Sequence, residues 1–446
     1  VSAAKEALVD PENEPDPYAS TYTVPTAPVT AIVNATLLTA VGPRIEHGTI
    51  VMSDGKILGV GAGVEVPAGA QVIDAAGQWV TPGLIDFHSH VGLMFEGMRV
   101  QNANEMSDPN TVQIRIEHSI WPQSPVFEAV LKGGVTTLHI MPGSGNLFGG
   151  RTVVVKNVPS VDVAGMKFPD APYGIKMACG ENPIMVYGNK GRSPMTRAGE
   201  IAGYRATFLA ASNYMKKWDN YRASVAKGAK ADPPARDLQL ETLAGVLRGE
   251  IKVHIHCYTA AEMSNLIAVS HEFHFQIAAF HHATEAFKMA PKLAQEHIAV
   301  ATWAGDWSEY KLEAYDSIGE NAAFVQQAGG TAIIHSDNEN IAQHLNIEAA
   351  RSMYGARGAG FTVTEEDAIR WLTLNPAKVL GLGDRIGSLE PGKDADVVLW
   401  STDPFSTYAL AEKVFIDGAL RFDRAHPDPN PRSDFEVGQP HIGDRP

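Results

Sequence analysis

The chain has 446 residues, 44% of them hydrophobic and 20% charged, with a formal net charge of −15. That length exceeds one ordinary core and fits one large domain plus a smaller one, and the composition is that of a soluble globular protein, not a disordered or fibrous one. The acidic balance, with no Lys/Arg cluster, argues against nucleic acid as a partner, because phosphate binding needs a basic face that releases counterions.

The opening VSAAKEALVDPENEPDPYAS is polar, Pro-rich and lacks an initiator Met, so residues 1–29 read as an extended N-terminal segment. Such a start fits removal of a secretory signal, which would make the protein periplasmic or secreted; otherwise it would be cytoplasmic. No apolar run approaches the roughly 18 to 20 residues of a membrane span. From Thr30 to Ala75, TAIVNATLLTA, HGTIVMSDGKILGVG and AQVIDAAG alternate apolar and polar residues between Gly and Asp turns, the pattern of short strands. The texture returns in GSLEPGKDADVVLW and EKVFIDGALRF. Residues 30–81 and 376–425 are therefore expected to pair into one small β-sandwich domain, with 426–446 as a C-terminal tail.

Between these ends, GLIDFHSH, VTTLHIM, YGIKMAC, IKVHIHC, QIAAFHH, IAVATWA and TAIIHSD are strand-length apolar runs separated by helical patterns. Repeated β then α on this scale predicts parallel strands with crossover helices, an α/β (β/α)8 TIM-like barrel over residues 82–375. The span exceeds the usual barrel length, and Arg192 to Arg248 reads as helices and a loop inserted after one strand. PGSGNLFGG lacks the GK[ST] ending of a phosphate loop and reads as a strand-to-helix loop at the active site. EEDAIRWLTLNPAKVLGL reads as an amphipathic helix capped by Thr364. Cys179 and Cys257 cannot build a disulfide framework and neither sits in a CxxC pair; one disulfide between them is open, with no sequence feature in its support.

Four of the apolar runs finish with His or Asp, and in a barrel the C-terminal strand ends converge on the active site. His88 and His90 are two residues apart on one strand, so they project to the same side and can share an ion. His256, His282 and Asp337, from three further strands, would complete the metal shell. Any one of the 16 histidines taken alone is more often a hydrogen-bonded core or surface residue, but the order HxH, His, His, Asp is one that coincidence rarely supplies.

TPGLIDFHSH, followed by NPAKVLGL and GSLEPGKDADVVLW, resembles the amidohydrolase superfamily over nearly the whole chain. Within it the similarity is greatest to the imidazolonepropionase-related branch, which includes metal-dependent dipeptidases. The resemblance implies metal ligation by His88, His90, His256, His282 and Asp337. The family's His six residues before an acidic residue selects His256, with Glu262, over His254. His-x-Thr-Glu selects His282 over His281, leaving His254 and His281 in the barrel wall or orienting the ligands. GIKMACGENP resembles the strand on which binuclear relatives carry a carboxylated lysine bridging two ions. That role falls to Lys176, with Glu181 as the rival bridge and a mononuclear site as a third possibility.

A bound divalent metal draws the pKa of water from about 15.7 towards about 7 and polarises a carbonyl. Asp337 would take the proton from that water and return it to the leaving nitrogen; in SDNEN it also reads as a helix N-cap. His139, Arg151 and Tyr258 are expected at the same mouth, holding a substrate carboxylate or an oxyanion, though each admits a structural role. The expected activity is metal-dependent hydrolysis of an amide or peptide C–N bond in a small substrate such as a dipeptide or N-acyl amino acid, with two divalent ions, expected to be zinc. Cyclic amide hydrolysis or deamination would use the same ligands. A non-catalytic barrel used for binding or assembly would be expected to lack some of them. Barrels of this group often form homo-oligomers.

Overall fold

The computed structural model describes residues 10–11, 16–94, 101–304, and 311–427. The N-terminal strands are β1 (Thr30–Leu37), β2 (Ile45–Ser53), β3 (Lys56–Gly61), β4 (Gln71–Asp74) and β5 (Trp79–Pro82). Asp54 and Gly55, at φ 52° and 77°, make the two-residue turn between β2 and β3. Positive φ at both positions matches the right-handed twist of the flanking strands, which is why Asp-Gly stands there.

The barrel follows as β6 (Leu84–Ser89), β7 (Val135–Ile140), β8 (Phe148–Lys156), β9 (Gly174–Ala178), β10 (Lys252–Cys257), β11 (Ile277–His282), β12 (Ala299–Thr302) and β13 (Ala332–Ile334), hydrogen-bonded in that order. All seven strand candidates are present; β8 is the one the sequence reading missed. It runs antiparallel to both β7 and β9, so the other seven strands share one direction. PGSGNLFGG is accordingly a strand-to-strand connection whose last residues already belong to β8, not the strand-to-helix loop expected. The β13 side meets β6 through Asp337 N donating to His88 O (3.0 Å) and Ser336 Oγ donating to Asp86 Oδ2 (2.7 Å). Most barrel strands are buried along their whole length, as strands covered on both faces must be.

The chain ends with β14 (Val397–Trp400), β15 (Ala411–Ile416) and β16 (Ala419–Asp423). With β1 to β5 they form one sheet, in the order β16-β15-β14-β5-β1-β2-β3, with β4 on β1. The two chain ends meet where β14 pairs antiparallel with β5, Val397 opposite Pro82. Ile32, Leu37, Ile50, Val80, Val397 and Phe415 pack this sheet's own core. Lys156, at the end of β8, ties it to the barrel: its buried ammonium lies 2.8 Å from Asp417, 3.4 Å from Asp394 and 3.6 Å from Asp396. Removing Lys156 would leave Asp396 and Asp417 buried without their ammonium, so this residue helps to specify how the two layers dock.

The insertion is two helices, Arg197–Ala226 and Leu238–Leu247, the first capped by Thr196 and the second by Asp237. The late amphipathic helix is two helices instead of one, Glu365–Leu372 and Leu374–Leu380, broken at Thr373. Pro376 explains the break, since its ring excludes an N–H bond to Leu372 and clashes with that carbonyl. Thr364 does cap the first piece, in a capping box with Asp367. Among the described residues, no helix is long and apolar enough to cross a membrane.

Candidate functional site

Strand geometry brings much of the expected set together at the C-terminal end of the parallel strands. His88 Nε2 lies 3.3 Å from Asp337 Oδ1, and His90 Nε2 lies 3.2 Å from the same oxygen. Lys176 Nζ is 3.2 Å from His88 Nε2 and donates to Pro142 O at 3.1 Å. Among the described residues three groups of three side chains hold their donor atoms within 4.8 Å of one another: His88, His90 and Asp337; His88, His282 and His335; and Cys179, Cys257 and Glu262, whose cysteines are joined in a disulfide. His256 adjoins the cluster, its ring 4.5 Å from that of His282. Its Nδ1 is 2.7 Å from Ser144 Oγ, which fixes the ring's orientation.

The backbone is strained where it presents two of these groups. His282 has φ 69° and Asp337 φ 57°, a region that non-glycine residues enter at a cost and that clusters at functional sites. The N-cap expected of Asp337 belongs to its neighbour: Asn338 accepts from Asn340 N and Ile341 N, which leaves Asp337 to the histidines.

The electrostatics favour the ligand form of each ring. Burial, reinforced by the Lys176 charge, by Lys311 at His256 and by neighbouring imidazoles, holds His88, His256 and His282 well below the usual histidine range, so they are neutral, the form that can ligate, with His256 Nε2 3.4 Å from Asn182 Nδ2. Burial likewise pulls the Lys176 amine down to about 7, against the opposing pull of Asp337. Burial works to raise the Asp337 carboxyl, but the hydrogen bond and charge of His90, with His335 and Lys176, hold it below the ordinary range.

The donor set fits a metal. His88 Nδ1, His282 Nδ1 and both ring nitrogens of His335 are buried with no hydrogen-bond partner, an expensive condition for polar atoms in a packed interior. His335 is the group the sequence reading left outside the ligand set. Its signal was there, since AIIHSD places it two residues before Asp337 and so on the same side of an extended chain. Trp303, stacked on His282 at 4.3 Å between ring centroids, was also missed, although it lies next to the end of the IAVATWA run.

The other expectations divide. Tyr258 reaches the site, its ring stacked 5.2 Å from His282, with Lys311 Nζ 4.0 Å from the Tyr258 ring centroid. His139 points into the barrel, but Phe87 O (3.1 Å) and Thr152 Oγ1 (2.6 Å) occupy its two nitrogens. It sits beside His254, whose Nδ1 is 3.0 Å from His281 Nε2, in a layer of paired rings. Arg151 is not at the mouth. Thr152 faces inward to His139, so Arg151, one residue earlier, faces outward and donates to Thr242 Oγ1. Glu181 begins the helix after β9 and lies 3.8 Å from Lys311; Glu262 is held by Arg197 and Thr259. Among the described residues neither hydrogen-bonds to or ion-pairs with the histidine cluster.

Cys179 and Cys257 form a disulfide, for which the sequence offered no support. They end adjacent strands: His256 pairs with Ala178, and Cys179 N donates to His256 O at 2.9 Å. The usable signal was that each cysteine closes a strand candidate, YGIKMAC and IKVHIHC.

Residues 79–425 match the amidohydrolase family. The chain belongs to that family. Members generally bind divalent metal, in keeping with the histidine-rich cluster. This amidohydrolase is 34% identical over 403 residues to the amidohydrolase tasK of Hapsidospora irregularis, covering 85% of this chain and 39% of that protein. It thus spans about two fifths of that relative's length. It is 26% identical over 382 residues to the imidazolonepropionase of Pseudomonas putida, covering 80% and 88% of the two chains. The crystal structure of an amidohydrolase from Thermotoga maritima superposes with a TM-score of 0.80 at 36% identity, covering 89% of this chain and all of the other.

Replacing His88 and His90 together with Ala is expected to strip bound metal while the chain stays folded, because neither imidazole belongs to the apolar clusters that form the core. Elemental analysis beside circular dichroism measures this. Full metal content in the folded double variant would overturn the assignment of these two residues.

Proposed function

We propose that this amidohydrolase hydrolyses an amide or peptide C–N bond of a small substrate, such as a dipeptide or N-acyl amino acid, at a centre of two zinc ions. The observation that carries the reading is the chain of close contacts from Lys176 to His88 (3.2 Å), from His88 to Asp337 (3.3 Å) and from Asp337 to His90 (3.2 Å). A first ion would be held by His88, His90 and Asp337, a second by His256 and His282, and a carboxylated Lys176 would bridge them. Lys176 is favoured over Glu181 as the bridge because its amine touches His88, whereas Glu181 turns towards Lys311. Bound divalent ions supply an acidified water and polarise the scissile carbonyl.

The chain's own residues supply the rest. Asp337, kept ionised by His90, accepts the proton of the attacking water and returns it to the leaving nitrogen. Trp303 and Tyr258 flank His282 and exclude water from one side of the cluster. Tyr258, beside His282, and Lys311, over the Tyr258 ring, would meet a substrate carboxylate or developing oxyanion.

Turnover of a panel of dipeptides, N-acyl amino acids and cyclic amides by the zinc-loaded protein tests the reading. Hydrolysis confined to the cyclic amides would move the assignment to the second reading, cyclic amide hydrolysis, which the coverage by imidazolonepropionases supports. For the bridge, Lys176→Ala is expected to lower metal content from two ions per chain to one. Two ions retained in Lys176→Ala, with one lost in Glu181→Gln, would assign the bridge to Glu181.

A further inference from the structure

We propose a second binding site, for a small aromatic carboxylate, on the outer face of the barrel wall beside β8 and β9, with Arg151 as its anchor. A cavity of about 600 Å³ lies there, within the size range of small-molecule sites. It is lined by Arg115, Arg151 and Tyr173 together with Tyr214, Trp218 and Thr242 of the two inserted helices. None of the candidate metal ligands lines it, so it is separate from the centre described above.

Five guanidinium groups border this cavity, in a chain whose net charge is −15. Four of them have carboxylate partners: Arg115 with Asp16 (3.3 Å), Arg222 with Asp10 (2.6 Å), Arg236 with Glu241 (2.7 Å) and Arg248 with Glu250 (2.7 Å). Arg151 differs. Its Nε and one terminal nitrogen both donate to the single oxygen of Thr242, at 3.2 and 3.0 Å, and no carboxylate pairs with it among the described residues. A largely buried guanidinium normally has a counter-ion, because desolvating the charge is costly without one. Its planar fork matches a carboxylate with two parallel hydrogen bonds.

The walls select the rest of the ligand. The Tyr173 ring lies 5.8 Å from the Arg151 guanidinium carbon and 5.0 Å from that of Arg115, and the Tyr18 ring lies 4.8 Å from Arg115. Tyr214 and Trp218 also line the space. A flat ring attached to a carboxylate would pack against these aromatic side chains. Asp16, Glu241 and Glu250 also line the cavity, and their charge disfavours a dianion such as phosphate relative to a monoanion.

Isothermal titration of the metal-loaded protein with benzoate tests the proposal, with cyclohexanecarboxylate and inorganic phosphate as comparisons. Benzoate is expected to bind more tightly than either, and Arg151→Gln to weaken it at least about tenfold, the scale of a lost charged hydrogen bond. Because a carboxylate can also bind a metal centre, the titration is repeated in His88→Ala, where benzoate binding is expected to persist. Binding that survives Arg151→Gln and disappears in His88→Ala would overturn the proposal, as would phosphate binding more tightly than benzoate. Should Arg151→Gln fail to fold, crystals of the unaltered protein soaked in 4-bromobenzoate decide the matter. Anomalous signal beside Arg151 supports the site, and signal absent there sinks it.

Discussion

Asp337→Asn is expected to lower turnover by about 10² to 10⁴ at metal saturation while metal stays bound, the usual contribution of general acid–base catalysis. The side chain stands 3.2 Å from His90 Nε2 and 3.3 Å from His88 Nε2, so an asparagine keeps the shape and a ligating oxygen. What it loses is basicity. Burial would push the carboxyl up, but the His90 hydrogen bond and the surrounding positive charge outweigh it, and the group is ionised across the neutral range. Activity through Asp337 should accordingly fall only as the pH drops through this lowered pKa. The measurement is turnover number against metal content in the same samples. A variant within about threefold of the parent, far short of that range, would transfer the proton role to His335, whose two ring nitrogens are buried and without partners.

Removing the disulfide, as Cys179→Ala with Cys257→Ala, is expected to cost about 2 to 4 kcal/mol of stability. The bond closes a loop with a sequence separation of 78, and a cross-link of that span removes much freedom from the unfolded chain. Both sulfurs are buried, so alanine leaves small cavities and no unsatisfied hydroxyl. Cys257 directly follows His256, and Cys179 lies three residues after Lys176, so metal retention against a chelator is expected to weaken as well. Denaturant unfolding of the two forms gives the stability difference. Coincident midpoints would show that the cross-link constrains nothing. A stabilising disulfide also belongs with an oxidising environment.

Much of the cluster was legible in the sequence because a parallel barrel strand advertises its own functional end. GLIDFHSH, IKVHIHC, AAFHH and AIIHSD each carry an apolar run that ends in ligating residue types, and strand order alone brings such ends together. What could not be read was strand direction, and phase where no pair of ligating residues marks the inner face. β8 follows β7 with no helix between, so a reading built on alternating strand and helix passes over it. Arg151 was aimed at the mouth for the same reason: on an extended chain a one-residue error in phase exchanges inside for outside, and only Thr152's bond to His139 reveals which face is which. The disulfide was hidden by the helical insertion, which separates two touching strands by a long stretch of sequence. The split at Thr373 was readable in principle from Pro376, but the strong amphipathic pattern across it pointed to one helix.

The pairing of β14 with β5 also bears on synthesis at the ribosome. The open edge at Trp79–Pro82 stays without its partner until Val397–Trp400 has been translated. At typical elongation rates, roughly 15 to 60 s pass between the two. Throughout that time the nascent chain presents an unpaired strand edge, the feature that recruits other chains into aggregates. A stalled or truncated product ending before Val397 would keep that edge permanently. The terminal sheet is thus a late checkpoint on completeness, closed by residues made after the whole barrel.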